Sequence, residues 1–91
     1  MKKFKVEQLR NNEGRAVVNQ FVITDENGVE YFQSYDSVIV KKENGETYLD
    51  ENYWKYSNTT SKYRSIFLGE TTKETQNKID DGIYKLVDLN K

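Results

Sequence analysis

The chain has no cysteine, no histidine and no proline among its 91 residues. Without cysteine there is no disulfide framework and no thiol chemistry, and without both cysteine and histidine almost every transition-metal site is excluded. The usual general base near neutral pH is missing too. No apolar run approaches the roughly 20 residues of a membrane-spanning helix, and no secretory signal is visible, so a soluble cytoplasmic protein is expected. In that setting the glycosylation-like tripeptide Asn58-Thr59-Thr60 is coincidental. Charge of one sign is lacking as well: 14 Lys and Arg against 15 Asp and Glu leave −1, which removes any bulk electrostatic case for nucleic acid or membranes. There is no Gly-rich phosphate loop, nucleophile elbow or metal-ligand spacing. Asp50-Glu51 and Asp80-Asp81 pair carboxylates, but neighbours diverge on either a strand or a helix. No catalytic residue, cofactor or metal is expected.

What the chain does hold is aromatic surface. Aromatic residues make up 13% of the sequence, seven of them tyrosines, which keeps a chain that is 32% charged on the folded side. One domain with a thin core follows from the length.

The first two thirds alternate as strands. Lys3–Leu9 places Phe4 and Val6 on one face, and Asn11-Asn12-Glu13-Gly14 makes a turn. Arg15–Thr24 puts Val17, Phe21 and Ile23 opposite Val18 and Val22. Asn27-Gly28 suits the positive φ angles of a type I′ hairpin, and Glu43-Asn44-Gly45 is a second hairpin signal. Between them lie strands over Val29–Tyr35 and Val38–Lys41, and after the second a return through Thr47, Tyr48 and Leu49. Past Asp50 the spacing becomes helical. Thr59 or Thr60 can cap a helix whose Tyr63, Ile66 and Phe67 share a face, and Gly69 ends it. Thr71-Thr72-Lys73-Glu74 is a capping box for a second helix through Asp81, apolar only at Ile79. Gly82 stops it and Ile83–Leu89 is a final strand. The fold class is therefore α+β: a meander of four to six antiparallel strands, two short helices on one face, and a C-terminal strand.

The densest chemistry lies in Tyr53–Arg64, which holds the only tryptophan. Trp54, Tyr56, Lys55, Lys62 and Arg64 are candidates for a partner contact, since Trp, Tyr and Arg dominate interface hot spots. Trp54 serves equally well as a core plug, which leaves Lys55, Tyr56, Lys62 and Arg64 as the free set. Ser57, Thr59 and Thr60 could cradle an anion at the helix start, unless Thr59 or Thr60 merely caps it. Tyr31 and Tyr35, flanking Gln33, could stack bases, or sit as half-exposed strand tyrosines.

Phe32–Ile39, Leu49–Leu68 and Glu74–Asn90 together resemble a family of small uncharacterised proteins of bacteriophages and other mobile elements of Firmicutes, over roughly Asn19 to Asn90. The resemblance implies a genomic setting and no particular activity. In that setting, small proteins without catalytic chemistry act by binding. The leading expectation is a non-enzymatic accessory protein that binds a host or phage protein, such as a CRISPR nuclease or another defence effector. The alternatives are a nucleic-acid-binding module and a small-ligand or nucleotide sequestering protein. A homodimer is open.

Overall fold

The computed structural model describes residues 4–91, so Lys2 and the Lys3 start expected for the first strand lie outside the described residues. Eight elements follow: β1 (Lys5–Arg10), β2 (Ala16–Thr24), β3 (Glu30–Ser34), β4 (Ser37–Glu43), β5 (Glu46–Asp50), α1 (Asn58–Leu68), α2 (Thr72–Asp80) and β6 (Tyr84–Val87). The six strands form one sheet in chain order. The first five pair antiparallel as a meander, while β6 joins β5 in parallel. That last pairing follows from the connection. Two helices carry the chain back to the end of the sheet where β5 began, as a parallel partner requires.

Turn chemistry sets the register. Asn11 and Asp25 head loops of one design: each side-chain Oδ1 accepts the amides two and four residues on, and each carbonyl accepts the amide of a left-handed glycine. Gly14 and Gly28 sit at φ 81° and 82°. Asn27 is therefore not part of a type I′ turn as its sequence suggests, because Asp25 organises the loop as an Asx turn. The mirror-image geometry occurs instead at Asn44-Gly45, both at positive φ between the paired Glu43 and Glu46.

Two irregularities correct the expected faces. Asn19 takes φ 65° within β2, so Val17 and Val18 fall out of phase with Phe21 and Ile23. In β4 an extra residue sits between Val38 and Val40, opposite Phe32-Gln33, and this bulge lets the consecutive Ile39 and Val40 both be buried.

The core lies between the sheet and α1. Leu9, Phe32, Ile39, Val40, Leu49 and Trp54 form it, with Tyr63, Ile66, Phe67, Leu68 and Ile79 packed on the helical side. Phe67 stacks on Phe32 at 5.6 Å. A core this small leaves little margin, so the polar groups buried with it matter. Thr60 meets Ser34 at 3.1 Å beneath α1. Beyond β6 the chain is tied down by side chains: Leu89 N–H donates to Asp50, and the Asn90 amide pairs with both backbone groups of Val38.

Candidate interaction site

Residues 51–57 form a run of turns between β5 and α1, anchored by its one buried member, Trp54, and by hydrogen bonds to Asp50 and Arg64 on either side. Asp50, fully buried, accepts the amides of Asn52 and Tyr53 at 3.0 and 2.9 Å, and its carbonyl accepts that of Trp54. Trp54 is 6% exposed and its ring belongs to the core. At the far end Ser57 caps α1 by accepting the Thr60 amide.

Arg64 closes this assembly from α1. Its guanidinium donates to the Trp54 carbonyl, to Ser61 and Ser65, and to Thr72 at 2.6 Å, and lies 5.1 Å from the Trp54 ring centroid. Burial lowers its pKa from the ordinary value and the nearby Glu70 charge opposes that, while an arginine remains protonated throughout.

Several expectations change here. Arg64 is fully buried, so the free cation assigned to it on the surface does not exist; the positive charge is spent inside, joining the turn to both helices. Trp54 is in its structural role. The helix cap is Ser57 and not Thr59 or Thr60, because Thr60 is drawn into the core against Ser34. With Ser57 engaged as the cap and Thr60 buried, the anion cradle reduces to exposed Thr59. Lys62 is exposed but stands apart, over the Tyr63 ring at 5.3 Å, facing the β1–β2 turn across a groove of about 630 Å³ that it shares with Asn12, Ile66, Glu70 and Glu74. Tyr31 and Tyr35 do not share a strand face either: Tyr35 sits in the β3–β4 turn at φ 57°, and only Tyr31 is on the sheet.

What the turn presents outward is Tyr53, Lys55 and Tyr56. The two rings meet edge to face with centroids 5.3 Å apart. Tyr56 is 52% exposed, and the Lys55 ammonium reaches over the Trp54 ring and toward Gln76 of α2. Tyr53 belongs to the aromatic stretch of the sequence but is not among its expected contacts; its edge-to-face pairing with exposed Tyr56 is what spacing alone does not reveal.

Sequence reasoning also missed a second polar node. The Glu70 carboxylate accepts Lys78 at 2.7 Å, Tyr84 at 2.8 Å and Thr75 at 2.6 Å. Burial pushes the Glu70 pKa up, but the hydrogen bonds from Lys78, Thr75 and Tyr84 and the Lys78 charge outweigh it, so the net direction is down. Thr75 was legible in principle, since it lies midway between Thr71 and Ile79 at helical spacing. No group of three or more potential metal ligands occurs among the described residues.

The chain is a small α+β domain whose β5–α1 turn carries exposed Tyr53, Lys55 and Tyr56. The chain belongs to the family of unknown function DUF8033, whose model matches residues 4–82. No curated protein and no solved structure matches it. No helix among the described residues is long and apolar enough to cross a membrane.

Proposed function

We propose that this chain is a non-catalytic accessory protein of a phage or mobile element that works by binding a macromolecular partner, with a host defence effector such as a CRISPR nuclease as the partner class its setting suggests. The observation that carries the binding reading is the division of labour in residues 51–57. Asp50, Trp54 and Arg64 fix the backbone from inside, and Tyr53, Lys55 and Tyr56 stand outside on it. Such a surface enters a complex with little ordering left to do, because tyrosine has few rotatable bonds and the turn beneath is already set. The setting itself rests on the sequence resemblance.

The test is DNA cleavage by a purified guide-loaded nuclease in the presence of the protein. Wild type is expected to slow cleavage in a dose-dependent way. Tyr53→Ala/Tyr56→Ala is expected to need at least about tenfold more protein, the loss of one good hot spot, with an unchanged melting temperature. Cleavage untouched by a large molar excess of wild type would remove the nuclease as the partner. Full inhibition by the folded double variant would remove the patch.

A further inference from the structure

We propose that Asn44 is a site of spontaneous deamidation, and that Asn27, in the same dipeptide, is shielded from it. Asn44-Gly45 and Asn27-Gly28 are the two Asn-Gly steps of the chain. Asparagine is among the thermolabile residues of a protein, and a following glycine has no Cβ to cover its main-chain nitrogen. The nitrogen of Gly45 attacks the side-chain carbonyl carbon of Asn44, Cγ. A new N–Cγ bond forms, the bond from Cγ to the side-chain nitrogen breaks, and the proton of the attacking amide leaves with that nitrogen as ammonia. The product is a five-membered cyclic imide. Water opens the ring at Cγ to give aspartate, or at the main-chain carbonyl to give isoaspartate, whose chain runs through the side-chain carbon. One water is consumed, one ammonia is released, and nothing is oxidised or reduced.

The two loops share their surroundings. Both lie at one end of the sheet, both dipeptides are exposed, and Gly28, Asn44 and Gly45 line one groove of about 330 Å³. They differ in what holds the backbone. The Gly28 N–H donates to the Asp25 carbonyl at 3.1 Å, and the Asp25 Oδ1 accepts the amides of Asn27 and Val29 at 2.8 and 3.0 Å. Attack by Gly28 therefore needs its proton released and the Asx turn undone. Among the described residues the Gly45 N–H has no such partner, and no side chain bonds to the backbone of Asn44 or Gly45. These two residues, at φ 52° and 79°, simply join the paired Glu43 and Glu46. Bringing Cγ onto the nitrogen turns Asn44 out of that mirror-image geometry, and only the last pair of the hairpin has to open for it. Fraying at a loop tip is the least costly opening a fold allows. The product alters the hairpin in turn. Aspartate sets a third carboxylate between Glu43 and Glu46, whose cations Lys41 and Lys85 are already engaged. Isoaspartate adds a chain atom to a two-residue loop and so disturbs the start of β5, the strand on which β6 docks.

The test is to keep the full chain warm at mildly alkaline pH, sample it over weeks, and follow each asparagine by mass spectrometry of proteolytic fragments. Asn44 should convert at least about tenfold faster than Asn27, the factor that one protecting hydrogen bond provides. In denaturant the two should convert at similar rates. Asp25→Ala, with its fold verified by circular dichroism, should raise the Asn27 rate by about threefold or more, since it removes the Oδ1 acceptor and leaves the Gly28 bond. Asp25→Asn keeps an Oδ1 acceptor and should leave Asn27 slow. Conversion of Asn27 as fast as Asn44 in the folded chain would overturn the proposal. So would an Asn44 that stays intact while the denatured chain converts, or an Asn27 rate that a folded Asp25→Ala does not move.

Discussion

Two buried charges flank the corner between α1 and α2, and they are stabilised by opposite means. Arg64 has no carboxylate against it: its guanidinium is held by a carbonyl, three hydroxyls and the face of Trp54. Glu70 is held by an ion pair to Lys78 backed by two hydroxyl donors. The difference is one of purpose. A fork with several fixed donors can tie three segments at once, and Arg64 does so for the 51–57 turn, α1 and α2. An ion pair to a half-exposed lysine ties only what lies nearby, here the start and end of α2 and β6. Arg64 is thus the residue on which the presented surface depends, and Glu70 the one through which pH reaches the fold.

Removing Arg64 should have the largest effect. Arg64→Ala leaves the Trp54 carbonyl and the Thr72 hydroxyl without their donor and opens a cavity beside the core tryptophan. A loss of roughly 3–5 kcal/mol is expected, against about 5–14 kcal/mol for a domain of this length. Chemical denaturation measures it. Arg64→Lys should recover only part, because a single ammonium cannot reach acceptors that lie in a plane. A loss below about 1 kcal/mol would show that the neutral acceptors are not what holds the turn.

Glu70→Gln should cost less, on the order of 1 kcal/mol, since the amide keeps one acceptor and Lys78 can turn to water. Its signature is in pH. The folded-state pKa of Glu70 lies below its ordinary value, so its contribution is complete above the usual carboxylate range and is lost as pH falls through the lowered folded value. Lys78 and Tyr84 are both raised, the first chiefly by its hydrogen bond to Glu70 and the second chiefly by burial and then by Glu70. Their contributions are complete below their ordinary values and fall away as pH rises through the raised ones. Melting temperature measured against pH should therefore fall at both extremes in wild type, and the acid limb should flatten in Glu70→Gln. Arg64→Lys, at the other node, should keep the wild-type acid limb.

The sequence made the local devices readable and hid the distant ones. The Thr71–Glu74 capping box and the left-handed Gly69 stop were legible because each depends on residues within a turn of one another. That the cap is Ser57 and not the expected Thr59 or Thr60 was not, because Thr60 is drawn away by Ser34, 26 residues before it. Arg64 read as a surface cation since it stands in a polar run, and what buries it is the meeting of Trp54, ten residues earlier, with Thr72, eight later. Glu70 was invisible for the same reason, its partners lying five, eight and fourteen residues on. Strand order followed from turn residues, but the phase of β2 depended on a left-handed Asn19 that alternation does not forecast.

The smallest effects give the finest comparison, because one hydroxyl serves each charge from the same helix. Thr72 accepts from Arg64 and is exposed; Thr75 is fully buried and donates its one hydroxyl proton to Glu70 at 2.6 Å, with the Thr71 carbonyl a longer alternative acceptor at 3.1 Å. Valine keeps the shape and removes the hydroxyl at either site. Thr75→Val strips a donor from a carboxylate that water reaches poorly, and about 1–1.5 kcal/mol should be lost. Thr72→Val removes an acceptor at a place where water can replace it, and the loss should stay below about 0.5 kcal/mol. The two also differ in direction with pH. Losing the Thr75 donor removes one of the bonds that lower the Glu70 pKa, so the acid limb should begin at higher pH in Thr75→Val and stay in place in Thr72→Val. Equal losses in the two variants, with acid limbs that coincide, would mean that the hydroxyls act only by packing and that the two nodes are one structural unit.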